Sequence, residues 1–114
     1  MGSVFRQTGH KYGPIDLALI GIGAYAPRKL LRSVHASPEE AVEMSKAIKA
    51  KPLLWMHWGT IELSQENIFE PAHRFQKAAL DTCYQYDVTF LRSVGETVAL
   101  NCLETDRQLE ATGT

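Results

Sequence analysis

One stretch constrains this chain more than any other: Leu53-Leu54-Trp55-Met56-His57-Trp58-Gly59-Thr60. Four apolar residues in succession have the pattern of a strand buried on both faces. A histidine stands where that run ends, and Gly59 breaks it. In open α/β sheets, ligands and chemistry collect at the carboxyl ends of strands. A histidine delivered there by a rigid strand can coordinate a metal through a neutral ring nitrogen. The competing reading is a packed core histidine hydrogen-bonded to backbone, the commoner fate of an isolated histidine in an apolar run.

The segments before this stretch give it a frame. Met1 to Gly13 is polar and glycine-containing and reads as an irregular lead-in over residues 1–14, punctuated by Gly13-Pro14. Ile15 to Ile22 reads as a first buried strand of ordinary length. Gly21-Ile22-Gly23 lacks the third glycine of a dinucleotide fingerprint, and no helix opens there, so these glycines instead let backbone pass close to something at the strand end. Ala24 to His35 is a loop carrying Tyr25, Arg28, Lys29 and Arg32, either a solvated surface or a cationic rim for a phosphate group.

Ser37-Pro38-Glu39-Glu40 marks a helix start: Ser37 can cap, Pro38 suits the first turn, and Glu40 completes a capping box. The helix is expected to run to about Ala50, with three lysines at its C-terminal end and Pro52 stopping it. Strand, loop, helix and strand assemble most simply as a parallel pair with a crossover. Both strand exits then share one sheet edge with the helix start, so His35 and His57, far apart in sequence, converge.

Further on, Thr60 to Phe69 is a polar connection, and Glu70-Pro71 opens a second helix with Ala72, Phe75, Ala79 and Cys83 as its apolar stripe. Val88–Leu91 and Thr97–Leu100 read as short strands joined by a turn around Ser93–Glu96, and residues 101–114 as a frayed tail. The fold class is therefore α/β, in the order strand-helix-strand-helix-strand-strand over residues 15–100.

At 114 residues the chain is one domain or part of one. Twelve basic against thirteen acidic residues leave a net charge of −1, and no global field calls for nucleic acid. The longest mostly apolar stretch, Leu17 to Ala26, falls below the roughly 20 residues of a spanning helix, and the first fifteen residues lack the apolar centre of a secretory signal. Two widely spaced cysteines, Cys83 and Cys102, suggest neither a disulfide framework nor a thiolate zinc site. A cytoplasmic or organelle-interior protein, not a secreted one, is the expectation.

Three stretches carry a resemblance: Ile15–Leu19 with Gly23-Ala24-Tyr25-Ala26-Pro27-Arg28, His35-Ala36-Ser37-Pro38-Glu39-Glu40-Ala41, and His57-Trp58-Gly59-Thr60. In this order and spacing they resemble the C-terminal part of metallo-β-lactamase-fold hydrolases, in the branch of N-acyl-phosphatidylethanolamine-hydrolysing phospholipase D. The resemblance implies an αββα sandwich with a two-zinc site at one edge, of which residues 15–100 are the C-terminal half. It implies that His57 is a zinc ligand and His35 a catalytic group beside the metals, with Tyr25 and Arg28 on the substrate side. The zinc pair would generate hydroxide near neutral pH and stabilise charge on the phosphoryl oxygens. It also implies a phospholipid substrate, peripheral association with a membrane surface, and self-association.

The family's His-x-His-x-Asp-His cluster, its second upstream histidine and the aspartate of its Gly-Asp-Thr motif do not occur in this sequence. A catalytic zinc needs about three protein ligands, and His57 supplies one. His10 and His73 match no motif of the family and do not fill the gap. The expectation is a C-terminal fragment of a zinc-dependent phosphodiesterase that, as this polypeptide alone, neither holds two zincs tightly nor hydrolyses phospholipid. Two alternatives stay open: a non-enzymatic α/β interaction module that pairs with itself or another chain, and a small nucleotide- or phosphate-binding α/β domain using the Gly21–Arg28 loop.

Overall fold

A computed structural model describes residues 2–84, 88–90 and 95–97. In chain order the elements are α1 (Ser3–Tyr12), β1 (Ala18–Gly21), α2 (Arg28–Leu31), α3 (Pro38–Ala47), β2 (Leu53–Met56), α4 (Glu70–Asp81) and β3 (Val88–Phe90). The strands form one sheet in the order β1-β2-β3, and both pairings are parallel. The register aligns Ala18 with Leu53 and Gly21 with Met56. Of the expected strand at Thr97–Leu100 only Thr97 is described, outside any strand, and residues 98–114, the tail included, lie outside the described residues. Among the described residues, no helix is long and apolar enough to cross a membrane.

The α3 start forms as its residue types dictate. The Ser37 side chain accepts from the Glu40 N–H at 3.3 Å, and the Glu40 carboxylate accepts from the Ser37 N–H at 3.1 Å. The helix ends at Ala47, earlier than expected, because Lys49 turns left-handed (φ 56°) and Ala50 pairs with Ile15 as an isolated bridge. From there the chain enters β2.

One face of the sheet carries the core. Leu53 and Trp55 of β2 point toward α3 and α4, where they meet Ala41, Val42, Phe75 and Ala79. The Trp55 ring stacks on Phe75 with centroids 5.0 Å apart. The other face is open: Leu19 is 53% and Met56 51% exposed. The expectation that β2 is buried on both faces is therefore corrected, since only its alternate residues are covered. A strand of four apolar residues tells nothing about which neighbours cover it.

Three further differences have local causes. The lead-in is a helix, α1, whose Gly9 lies against the end of α3; a Cβ there would sit 2.1 Å from the Ala47 carbonyl oxygen. Interior glycine weakens intrinsic helix preference by about 1 kcal/mol, so the segment reads as irregular until this packing is seen. The Ala24–His35 loop contains one helical turn, α2. Cys83 belongs to no apolar stripe: it is exposed, beyond the end of α4, with φ 51°.

Ion pairs join α4 and the α2 turn to α3. Arg74 of α4 donates through two nitrogens to Glu39 at 2.8 Å each, and through a third to Glu70 at 3.2 Å. Arg28 pairs with Glu40. Burial raises the Glu39 carboxyl, but the Arg74 hydrogen bonds and charge outweigh it and hold it below its ordinary value. At Glu40 burial again opposes, and Arg28, the Ser37 N–H and the charge of Arg32 prevail.

Two predictions follow from this packing. Phe75→Ala removes the centre of the covered face and should cost about 3–5 kcal/mol in urea titration, against about 1 kcal/mol for the Ser37→Ala cap deletion. Because Glu39 and Glu40 are more acidic folded than unfolded, their contribution is complete above the carboxylate range. It is lost as pH falls through that range. The melting temperature should drop between about pH 5 and pH 3, and Glu39→Gln with Glu40→Gln should flatten that drop.

Candidate functional site

Parallel pairing sets the site. With Gly21 opposite Met56, β1 and β2 leave the sheet at the same edge, and the Ile22 N–H donates to the Met56 carbonyl at 3.1 Å. Gly23 then passes so close to the next residue of the other strand that a Cβ would lie 2.0 Å from the His57 carbonyl oxygen. The strand-end glycine is thus required by close backbone approach. His57 itself is exposed and left-handed (φ 63°), a conformation that costs a non-glycine residue about 1–3 kcal/mol.

His35 reaches the same edge from the other side. Its N–H donates to the Leu31 carbonyl at 2.8 Å, prolonging the turn of α2, and its carbonyl accepts from Arg28 Nη1 at 2.8 Å. The α3 cap begins two residues later. The His35 and His57 rings stack with centroids 5.4 Å apart and planes inclined by 27°. Sequence reasoning places two remote imidazoles on one rim, and the structure brings them into contact.

Of the other two named residues, Arg28 is bonded to His35 and Tyr25 is buried toward α4. Tyr25 is 3% exposed; its hydroxyl donates to Glu70 at 2.7 Å, and the Arg74 guanidinium lies 4.7 Å from its ring centre. Burial, then the Glu70 bond, push the phenol's pKa up, so it stays protonated. Glu39 chiefly holds Arg74 protonated. Arg28 is half-buried and bridges the His35 carbonyl to Glu40.

A cavity of about 210 Å³ opens beside His57, walled by Trp58, Ile61, Leu63, Ile68 and Glu66. Glu66 is the residue sequence reasoning missed. Its carboxylate accepts from the amides of Ala24 (2.6 Å), Tyr25 (3.3 Å) and Ala26 (3.0 Å), and from the Ser64 hydroxyl. Burial opposes, but the Ser64 bond and the amides hold this carboxyl below its ordinary value. Its acceptor role spans about forty residues and leaves no local signature.

These residues do not by themselves make a zinc centre. Among the described residues no group of three His, Cys, Asp or Glu side chains is placed to hold a metal ion. The nearby carboxylates of Glu40 and Glu66 are committed to Arg28 and to the loop amides. His10 and His73 lie exposed on α1 and α4.

Comparison with known proteins places this arrangement. Residues 1–58 match the family model described as the beta-lactamase superfamily domain. The chain is 42% identical over 74 residues to N-acyl-phosphatidylethanolamine-hydrolyzing phospholipase D 1 of Caenorhabditis elegans, a match covering 64% of this chain and 21% of that protein. It is 34% identical over 87 residues to the mitochondrial N-acyl-phosphatidylethanolamine-hydrolyzing phospholipase D of Saccharomyces cerevisiae, covering 71% of this chain and 19% of that one. The chain thus spans about a fifth of the length of these relatives. It belongs to the beta-lactamase superfamily, with the metallo-β-lactamase fold, and the two relatives it resembles over part of their length are both named as N-acyl-phosphatidylethanolamine-hydrolyzing phospholipases D.

Proposed function

We propose that this chain forms one wall of a zinc-dependent phosphodiesterase site of the kind its relatives are named for. The reaction of the complete site is hydrolysis of N-acylated phosphatidylethanolamine to an N-acylethanolamine and phosphatidic acid. The observation that carries this reading is the stacked His35–His57 pair at the strand exits, in a chain of this superfamily. In this reading His57 is a zinc ligand, and His35 offers a ring N–H to a phosphoryl oxygen or the leaving group. Arg28 keeps N–H donors beyond those it commits to His35 and Glu40, enough for a phosphate at the rim. Tyr25 contributes on the substrate side through the loop it anchors to α4, between Gly23 and Arg28.

The 114-residue polypeptide alone neither holds two zincs tightly nor turns over phospholipid, because its described donor set is too small. A second reading, a self-associating module without catalysis, is favoured by the open sheet face at Leu19 and Met56. A membrane surface is the natural neighbour of the rim. Leu30 (74% exposed), in α2, and Val34 (70%), just beyond it, are both exposed, and Lys29 and Arg32 between and beside them lie outside any ion pair among the described residues.

The catalytic reading is tested in a chimera in which residues 1–100 replace the matching segment of the Caenorhabditis elegans relative. Zinc-dependent release of N-acylethanolamine should persist, and His35→Ala should reduce it roughly 10²–10⁴-fold. An inert chimera that folds and binds zinc would count against it. Metal analysis of the dialysed 114-residue chain should find no stoichiometric zinc, and tightly held zinc would contradict the incomplete-site reading. Co-sedimentation with anionic vesicles should weaken about fivefold for each of Lys29→Glu and Arg32→Glu.

A further inference from the structure

We infer that Glu66 is a positioning residue for His57: its carboxylate fills a nest of backbone amides at the exit of β1 and thereby fixes the loop against which His57 turns. Three successive N–H groups, from Ala24, Tyr25 and Ala26, converge on this one side chain. Consecutive amides aimed at one anion are an anion-binding nest, and the positive φ of Ala24 (61°) turns them to a common side. The segment bearing Glu66 is returned to the loop by the Gln65 N–H, which donates to the Ala26 carbonyl at 3.1 Å. Ala24 and Tyr25 are buried, so amides deprived of this acceptor could not simply turn to water.

The connection from this nest to His57 is direct contact. Gly23 immediately precedes the nest and packs on the His57 carbonyl. His57 holds a left-handed backbone, which a non-glycine residue keeps only where its surroundings over-determine it. Glu66 also walls the cavity that His57 opens onto. The order of cause is therefore carboxylate, loop amides, Gly23, His57 backbone, and finally the ring stacked on His35. The catalytic weight of this inference rests on the reading of His57 proposed above, whereas its test needs neither metal nor substrate.

The test uses the full 114-residue chain labelled with ¹⁵N-histidine, reading the four imidazole signals, with the exposed His10 and His73 as internal references. In Glu66→Ala the His57 and His35 signals should shift and lose their mutual ring-current effect while the references stay in place. Excess acetate should restore them by refilling the nest. Glu66→Gln, which keeps one acceptor oxygen, should fall between. Glu39→Gln, which breaks the Arg74 pair, should lower the melting temperature and leave all four signals where they were. Unmoved His35 and His57 signals in Glu66→Ala would overturn the inference, as would equal shifts of all four or indifference to acetate. Should Glu66→Ala not fold, Glu66→Gln decides: selective shifts at His35 and His57 support the inference, and none overturns it.

Discussion

The parallel pairing of β1 with β2 is the constraint from which the rest of the molecule follows. A parallel pair cannot close through a hairpin, so the chain must travel back along the sheet before the second strand begins. Here α3 makes that journey, and its buried face supplies Ala41 and Val42 to the core. Because both strands run the same way, both end at one edge, and the start of the returning helix is delivered to that edge as well. His35 and His57 meet because the crossover begins where the strands finish. With Gly21 opposite Met56, the register further brings Gly23 onto the His57 carbonyl.

How much of this was legible in the sequence depended on whether its cause was local. Ser37, Pro38 and Glu40 specify the α3 start within four residues, and that start is found where those residues stand. The apolar run of β2 and the opening of α4 at Glu70-Pro71 are local in the same sense. What escaped was set by distant partners. Gly9 obscures α1 in sequence and enables its contact with α3 in space. Exposure of Met56 reflects the lack of a covering layer among the described residues, which no feature of Leu53–Met56 encodes. Glu66 looked like one acidic residue in a polar connection, yet it holds the loop on the far side of His57.

The same distinction explains why the site reads as a wall and not an enclosure. Three of its carboxylates face inward to structure: Glu40 to the α3 cap and Arg28, Glu66 to amides, Glu70 to Tyr25 and Arg74. None of these is left over for a metal. The two imidazoles, one exposed and one half-buried, carry no such commitment; His57 stands on the cavity wall, as does the exposed carboxylate of Glu62, and His35 follows the basic turn of α2.

The central claim, that remote histidines are brought together by parallel strand exits, is most directly tested by the nuclear Overhauser effect between their ring protons in the unmodified chain. The stacked geometry predicts clear cross-peaks between His35 and His57 imidazole protons, alongside those between Trp55 and Phe75 that report an intact core. Core cross-peaks present with no contact between the two histidines would contradict it.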